Sequence, residues 1–335
     1  MPDSVPDPSH VASHDPSHAS VRARAPDLIL HHFVTSPFSE KIRLILGHKQ
    51  LAWKSVVVPS IMPKPDVVAL TGGYRKTPFL QIGADVYCDT ALICDVLEHH
   101  HPSPSLYPEH AKGLSRTLAQ WADTTLFWAA MGYNLQPKGA AEVFAKAPPE
   151  FAKAMAEDRG KMTAGMNRLR PGDATVAYKS YLRRVSDMLA EQPFILGSAP
   201  CIADFAAYHP LWYTRTWVSG LVGVLDALPN VTGWMARMAA ISHGTMEKMD
   251  AASAIAIARE SAPASTANEP FIDEHGIPLG SRVTVAAEIF GPETTQGELV
   301  AATRMHYTLR RSDERAGTVH VHFPRVGYVL KKAET

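Results

Sequence analysis

The residue types and spacing most suited to chemistry occur in Ser36-Pro37-Phe38-Ser39-Glu40-Lys41-Ile42-Arg43. The apolar run Leu28-Ile29-Leu30, with Phe33 beyond it, reads as a strand, and Ile42, Ile45 and Leu46 keep helical spacing after the turn. Proline is favoured in a first helical turn because its missing N–H and fixed φ cost nothing there. The unpaired backbone N–H groups of that turn, at the positive end of the helix dipole, attract an anion. Ser36 sits at the cap and aims a hydroxyl into the same space; a hydroxyl there also caps the helix with no further role. Ser39, one turn on, competes for the part. A second group runs from Lys76-Thr77-Pro78 to Asp89-Thr90. Phe79 to Ile82 and Asp85 to Tyr87 read as two short strands about a Gly-Ala turn, and Asp89-Thr90 caps a helix that runs to about His99.

Together these stretches resemble the N-terminal, thioredoxin-like domain of the cytosolic glutathione S-transferases. The Ser36-Pro37-Phe38-Ser39 turn is similar to the Cys-Pro-x-x start of the omega-class and glutaredoxin-like members, with serine in the place of cysteine. Thr77-Pro78 resembles the residue and cis-proline that pair with the cysteinyl backbone of glutathione. Asp89-Thr90 resembles the acidic-or-Gln plus Ser/Thr pair that holds the γ-glutamyl end. Lys64, in the Pro-rich connection from Ile61 to Asp66, and Lys76 are candidates for the basic residue that the family often sets against the glycyl carboxylate. The resemblance implies glutathione as co-substrate, no metal, and a thiol held over Ser36. A free thiol titrates near 8.5, and a hydroxyl together with a helix N-terminus favours the thiolate. Because Ser36 is not a cysteine, no mixed disulfide forms at this turn, which disfavours thiol-transferase and dehydroascorbate-reductase chemistry.

Holding these groups takes a βαβ unit followed by a ββα unit over residues 27–103, hence a mixed sheet with helices on its faces. His99 to Pro108 is a linker, because its prolines forbid helix. Residues 108–262 read as an all-α domain. Leu114, Leu118, Trp121, Thr125 and Trp128 share a helical face, as do Phe151, Met155, Met162, Met166 and Leu169, a methionine stripe that reads as core filler. Pro193 to Phe205 resembles the family's Phe-Leu-x-Gly approach and Ser/Thr-x-x-Asp capping box, with Cys201 at the cap. A thiol accepts weakly, so Asp204 must do more of the capping. In the resembled fold the second substrate sits between the domains, and Trp128 and Tyr133 are the aromatic residues assigned to that pocket.

From Val283 to Phe323 apolar residues alternate with polar ones between Gly-containing turns, which reads as a β meander of about five strands over 271–333, a small barrel-like module. The resemblance covers roughly residues 27 to 260 and stops before it. His306 and His322 either face each other across a hairpin or are simply histidines on the wet face of a strand, and the pattern leaves the register open. Residues 1–26 are rich in Pro, Ser, Asp and His and read as a disordered tail; His10, His14 and His18 recur every four residues, but Pro8 and Pro16 oppose a helix that would gather them on a metal.

The 335 residues carry 33 Lys+Arg against 33 Asp+Glu, which argues against nucleic acid or an anionic membrane as the partner. No apolar run is long enough to span a bilayer. Three cysteines without C-x-x-C spacing argue against a disulfide framework or zinc site and for a reducing cytoplasm. The expected architecture is therefore an α/β thioredoxin-like domain, an all-α helical bundle and a small all-β module. The expected function is glutathione transfer to a small electrophile by a homodimer. A non-catalytic glutathione-binding scaffold, whose β module recruits a partner, and a glutathione-dependent isomerase or lyase are the alternatives.

Overall fold

The computed structural model describes residues 27–333, so the stretch 1–26 expected to form a disordered tail lies outside the described residues. Strand β1 (Ile29–His32) leads through the Ser36 turn into α1 (Pro37–His48), followed by β2 (Ala52–Val57), α2 (Pro65–Thr71), β3 (Phe79–Ile82), β4 (Asp85–Cys88) and α3 (Thr90–His100). β1 pairs parallel with β2 and antiparallel with β3, and β3 pairs antiparallel with β4. This is the thioredoxin-like sheet expected from the sequence. Leu30 and Leu80 enter a core shared with α1, α3 and the helical domain, while their neighbours Ile29 and Phe79 enter a second core on the opposite face. Side chains alternate along a strand, so burial of both faces demands apolar residues at successive positions.

The helical domain comprises α4 (Lys112–Trp121), α5 (Phe127–Asn134), α6 (Pro137–Val143), α7 (Pro149–Met162), α8 (Pro171–Met188), α9 (Ile202–Trp217), α10 (Gly223–Asp226) and α11 (Pro229–Ala239). A π-helical turn, Ala122–Leu126, joins α4 to α5. At the start of the central helix α9, the Asp204 carboxylate accepts from the backbone N–H of Cys201 (3.0 Å) and Ile195 (2.9 Å) and from the Trp234 indole (2.9 Å). The carboxylate thus carries the capping that the Cys201 thiol performs poorly.

Two expectations need correction. The helical span does not run unbroken to 262: β5 (Thr245–Lys248) pairs parallel with β2, and α12 (Ala251–Glu260) packs Ala254, Ile255 and Ala258 into the second core. All four residues of β5 are exposed, so this edge strand has no apolar alternation to reveal it. The five C-terminal strands are present as β6 (Arg282–Ala287), β7 (Thr295–Ala302), β8 (His306–Asp313), β9 (Gly317–Pro324) and β10 (Tyr328–Lys332), but they do not close a separate barrel. β9 pairs parallel with β4, giving one sheet ordered β10-β6-β7-β8-β9-β4-β3-β1-β2-β5. Alternation shows which residues face inward and is silent about which edge a strand joins. Val319, Val321 and Phe323 of β9 enter the second core beside Phe79 and Val86.

In the β8–β9 register Thr308 lies opposite His322 and His306 opposite Pro324, so the two histidines meet diagonally with ring centroids 5.8 Å apart. His320 and His322 are buried at the seam between the strands, where His322 is hydrogen-bonded to Asp85 of β4 at 2.9 Å.

Candidate functional site

A cleft of about 920 Å³ lies between the thioredoxin-like sheet, the helical domain and the C-terminal strands. Ser36, Thr77, Pro78, Asp89, Thr90, Lys64, Lys76 and Trp128 all line it. Ser36 is the N-cap of α1, and its hydroxyl oxygen accepts from the Ser39 N–H at 3.2 Å, which leaves the hydroxyl proton free to donate into the cleft. Glu40, in the same first turn, opposes an anion there; its charge is held by Arg43 at 2.6 Å and by His243 at 3.0 Å. The Thr77–Pro78 peptide is cis and leads directly into β3. Asp89 caps α3 through the Ala91 N–H (2.9 Å) and accepts from the Tyr328 hydroxyl of β10 at 3.0 Å.

The cationic side chains of the cleft differ in what balances them. Arg75 pairs with Asp158 and Glu293, and Arg159 with Asp158. Among the described residues, no carboxylate forms an ion pair with Lys64 or Lys76. Lys64 is 3% exposed, and its ammonium donates to the Arg75 carbonyl at 3.1 Å. Burial, then the positive charges of Arg159 and Arg75, push it down to about 8. Lys76 lies over the rings of Tyr74 and Tyr328, 5.2 and 4.8 Å from their centroids. Burial lowers it too, with Asp89 opposing. A buried ammonium without a counter-charge is costly, and an anionic ligand relieves the cost.

Two of the expected site residues are elsewhere. The Ser39 hydroxyl is buried and does not line the cleft; its backbone N–H serves Ser36 instead. Tyr133 donates to the Leu221 carbonyl at 3.1 Å and lines a separate hollow beside Lys179 and Val224. Five residues along a helix turn the side chain about 140° away, so Tyr133 cannot share the face of Trp128. The methionine stripe also needs revision, because Met162 and Met166 line the cleft.

Sequence reasoning missed a buried chain at the floor of the site. The Lys41 ammonium, 1% exposed, donates to the Thr90 hydroxyl at 3.3 Å and pairs with Asp123 at 2.5 Å; Asp123 in turn meets His209 at 3.0 Å. Burial alone would lower Lys41, and Asp123 more than reverses this. Burial likewise opposes ionisation of Asp123, and Lys41 and His209 hold it below the usual carboxylate range. An ammonium only donates, so Thr90 accepts from Lys41 and keeps its own proton for a ligand. Asp123 sits in the π-helical turn, a distortion frequent at functional sites. Its signal in the sequence was a lone acid within the otherwise uncharged run Thr117 to Ala130. The three cysteines are buried, with Cys94 and Cys201 each pushed up to about 12, mainly by burial, so neither supplies a ready thiolate.

The family profile described as glutathione S-transferase, N-terminal domain, matches residues 30–105, and that described as glutathione S-transferase, C-terminal domain, matches residues 152–237. A crystal structure of a GST-like protein from Pseudomonas syringae is 39% identical with a TM-score of 0.75, over 92% of this chain and 100% of that one. The chain belongs to the glutathione S-transferase family. FtsZ-localized protein A of Caulobacter vibrioides is 24% identical over 183 residues, which is 53% of this chain and 73% of that protein. Pyrimidodiazepine synthase of Drosophila melanogaster is 30% identical over 76 residues, 22% of this chain and 31% of that protein.

Proposed function

We propose that this family member binds glutathione in the cleft and activates its thiol for attack on a small electrophile. The observation that carries this reading is the buried Lys64 ammonium and the half-buried Lys76 ammonium, without ion-pair partners among the described residues, in the cleft that also holds Ser36, Thr77-Pro78 and Asp89-Thr90. Glutathione carries two carboxylates and one ammonium, and this set offers charges of both signs to match. The γ-glutamyl end lies at Asp89 and Thr90, the cysteinyl backbone runs along Thr77-Pro78, and Lys64 faces the glycyl carboxylate. The sulfur then sits over the first turn of α1. The Ser36 hydroxyl donates to it, and the N-terminal N–H groups and dipole favour the thiolate over the thiol. The thiol proton passes to solvent, the sulfur attacks the electrophilic carbon, and a C–S bond forms. With an aryl halide the halide leaves; with an isothiocyanate the nitrogen takes up a proton. Positioning the two reactants is the remaining contribution of the protein.

The test is calorimetric glutathione binding to wild type and Asp89→Ala, with conjugation of an aryl halide and an isothiocyanate by wild type and Ser36→Ala. Binding lost in the first variant and turnover lost in the second are the expected results; absence of wild-type binding overturns the reading. A second reading, a glutathione-binding scaffold without turnover, draws on the likeness to FtsZ-localized protein A, whose name describes a location. It requires glutathione binding with no conjugation of any electrophile. The homodimer expected from the family is a further part of this proposal, and sedimentation equilibrium tests it.

A further inference from the structure

The C-terminal strands, which lie outside both matched family regions, supply side chains to the cleft. We infer that they are working parts of the active cleft: the β6–β7 loop walls the acceptor pocket with Phe290 as its specificity-determining residue, and Tyr328 of β10 positions Asp89. The inference rests on the glutathione reading above and gives the added strands their role in it.

The Phe290 ring meets Trp128 of α5 edge-on, with centroids 5.1 Å apart and planes at 64°. Two rings at that angle make a corner that accepts a planar apolar group against either face. Ile289, 57% exposed, Met305 and Val326 continue the apolar surface on the strand side, and Met162 and Met166 do so from the helical side. Apolar side chains left open around a cleft mark what it binds.

The loop is fixed in place. The Gly291 N–H donates to the Met162 carbonyl at 3.0 Å, at a φ of +64° that favours glycine, and a Cβ there would lie 3.0 Å from Met162 Cε and 3.2 Å from Lys76 Cγ. Glu293 pairs with Arg75, and the Thr295 hydroxyl donates to the Thr71 carbonyl at 3.0 Å. Deeper in the cleft Asp123 is matched by Lys41 and His209, and Arg159 by Asp158, while Lys76 and Glu288 stand beside the loop. The aromatic corner and the apolar side chains around it suit a planar, ring-bearing electrophile.

On β10, opposite Ala287 of β6, Tyr328 donates to Asp89 Oδ2 at 3.0 Å and shares Lys76 with Tyr74. The hydroxyl fixes the carboxylate that is to receive the γ-glutamyl ammonium. Tyr328 is a positioning residue.

The two roles give a double dissociation. Phe290→Ala should lower kcat/KM for phenethyl isothiocyanate relative to methyl isothiocyanate by about tenfold, with the KM for glutathione unchanged, and Phe290→Trp should restore the ratio. Tyr328→Phe should raise the Kd for glutathione about fivefold and leave the isothiocyanate ratio alone. Binding of the uncharged fluorophore N-phenyl-1-naphthylamine, measured without glutathione, should weaken about tenfold in Phe290→Ala and not in Tyr328→Phe. Unchanged selectivity and unchanged fluorophore binding in Phe290→Ala, or no fluorophore binding by wild type, overturn the acceptor wall. Unchanged glutathione affinity in Tyr328→Phe overturns the positioning role. If wild type neither binds nor conjugates glutathione, the glutathione reading fails separately, and the fluorophore still decides the wall.

Discussion

Binding of an S-alkylated glutathione should draw protons onto the protein near pH 8, and Lys64 is the group that takes them. Its ammonium is buried, donates to the Arg75 carbonyl, and is pushed down to about 8 by burial and by Arg159 and Arg75. At pH 8 about half the free molecules carry the charge, and at pH 7 about nine tenths do. A ligand carboxylate beside the nitrogen favours the charged form and lifts its pKa. By linkage the complex takes up roughly 0.5 proton at pH 8 and roughly 0.1 at pH 7, and affinity falls as pH rises through 8. S-methylglutathione removes the thiol, whose ionisation would otherwise release a proton. Calorimetry in two buffers of different ionisation enthalpy reads the uptake directly. Lys64→Met should abolish it and weaken binding by about 1.5–3 kcal/mol, the range for a hydrogen bond to a charged group. Uptake well under 0.1 proton at pH 8 in wild type, or the same uptake in Lys64→Met, would refute the reasoning.

Three further outcomes follow from the site and its scaffold. Ser36→Ala should raise the pKa of bound glutathione thiol and cut turnover about ten- to a hundredfold, whereas Ser39→Ala, whose hydroxyl is outside the cleft, should leave the thiol titration in place; ultraviolet titration of the complex distinguishes them. Asp123→Asn leaves the buried Lys41 charge without its partner and should cost about 3–5 kcal/mol in thermal or urea unfolding, with part recovered by the double change Lys41→Met and Asp123→Leu. In wild type the depressed Asp123 contributes stability that is present above its unfolded pKa near 3.9 and is lost as pH falls through the folded value. Asp204→Ala strands the N–H groups of Cys201, Ile195 and Trp234 and should destabilise by about 3 kcal/mol or more, read by the melting transition; Cys201→Ser, which restores a good cap acceptor, should raise it slightly.

The parts of the site visible in the sequence were those whose chemistry is local. Ser36 and Pro37 announce a helix start because cap and first-turn geometry depend on residues within one turn, and Asp89-Thr90 do the same for α3. Lys64 and Lys76 could be named as candidate cations, but the burial of Lys64, the rings beneath Lys76 and, among the described residues, their lack of ion-pair partners came from tertiary packing. Tyr133 was misassigned because proximity to Trp128 in sequence ignores rotation about the helix, compounded by the π-helical turn that precedes α5.

The sequence by itself determined the βαβ and ββα order, the helical middle, the alternating strands at the end and the serine-capped turn, since periodicity and caps act over a few residues. Only the tertiary structure decided which edge the last strands join, that β5 returns to β2, that Lys41 finds Asp123 across the domains, and that Phe290 and Tyr328 reach the cleft. Strand pairing and ion pairing between segments tens to hundreds of residues apart follow from how the two faces of one sheet are covered. No local pattern of residue types encodes that choice.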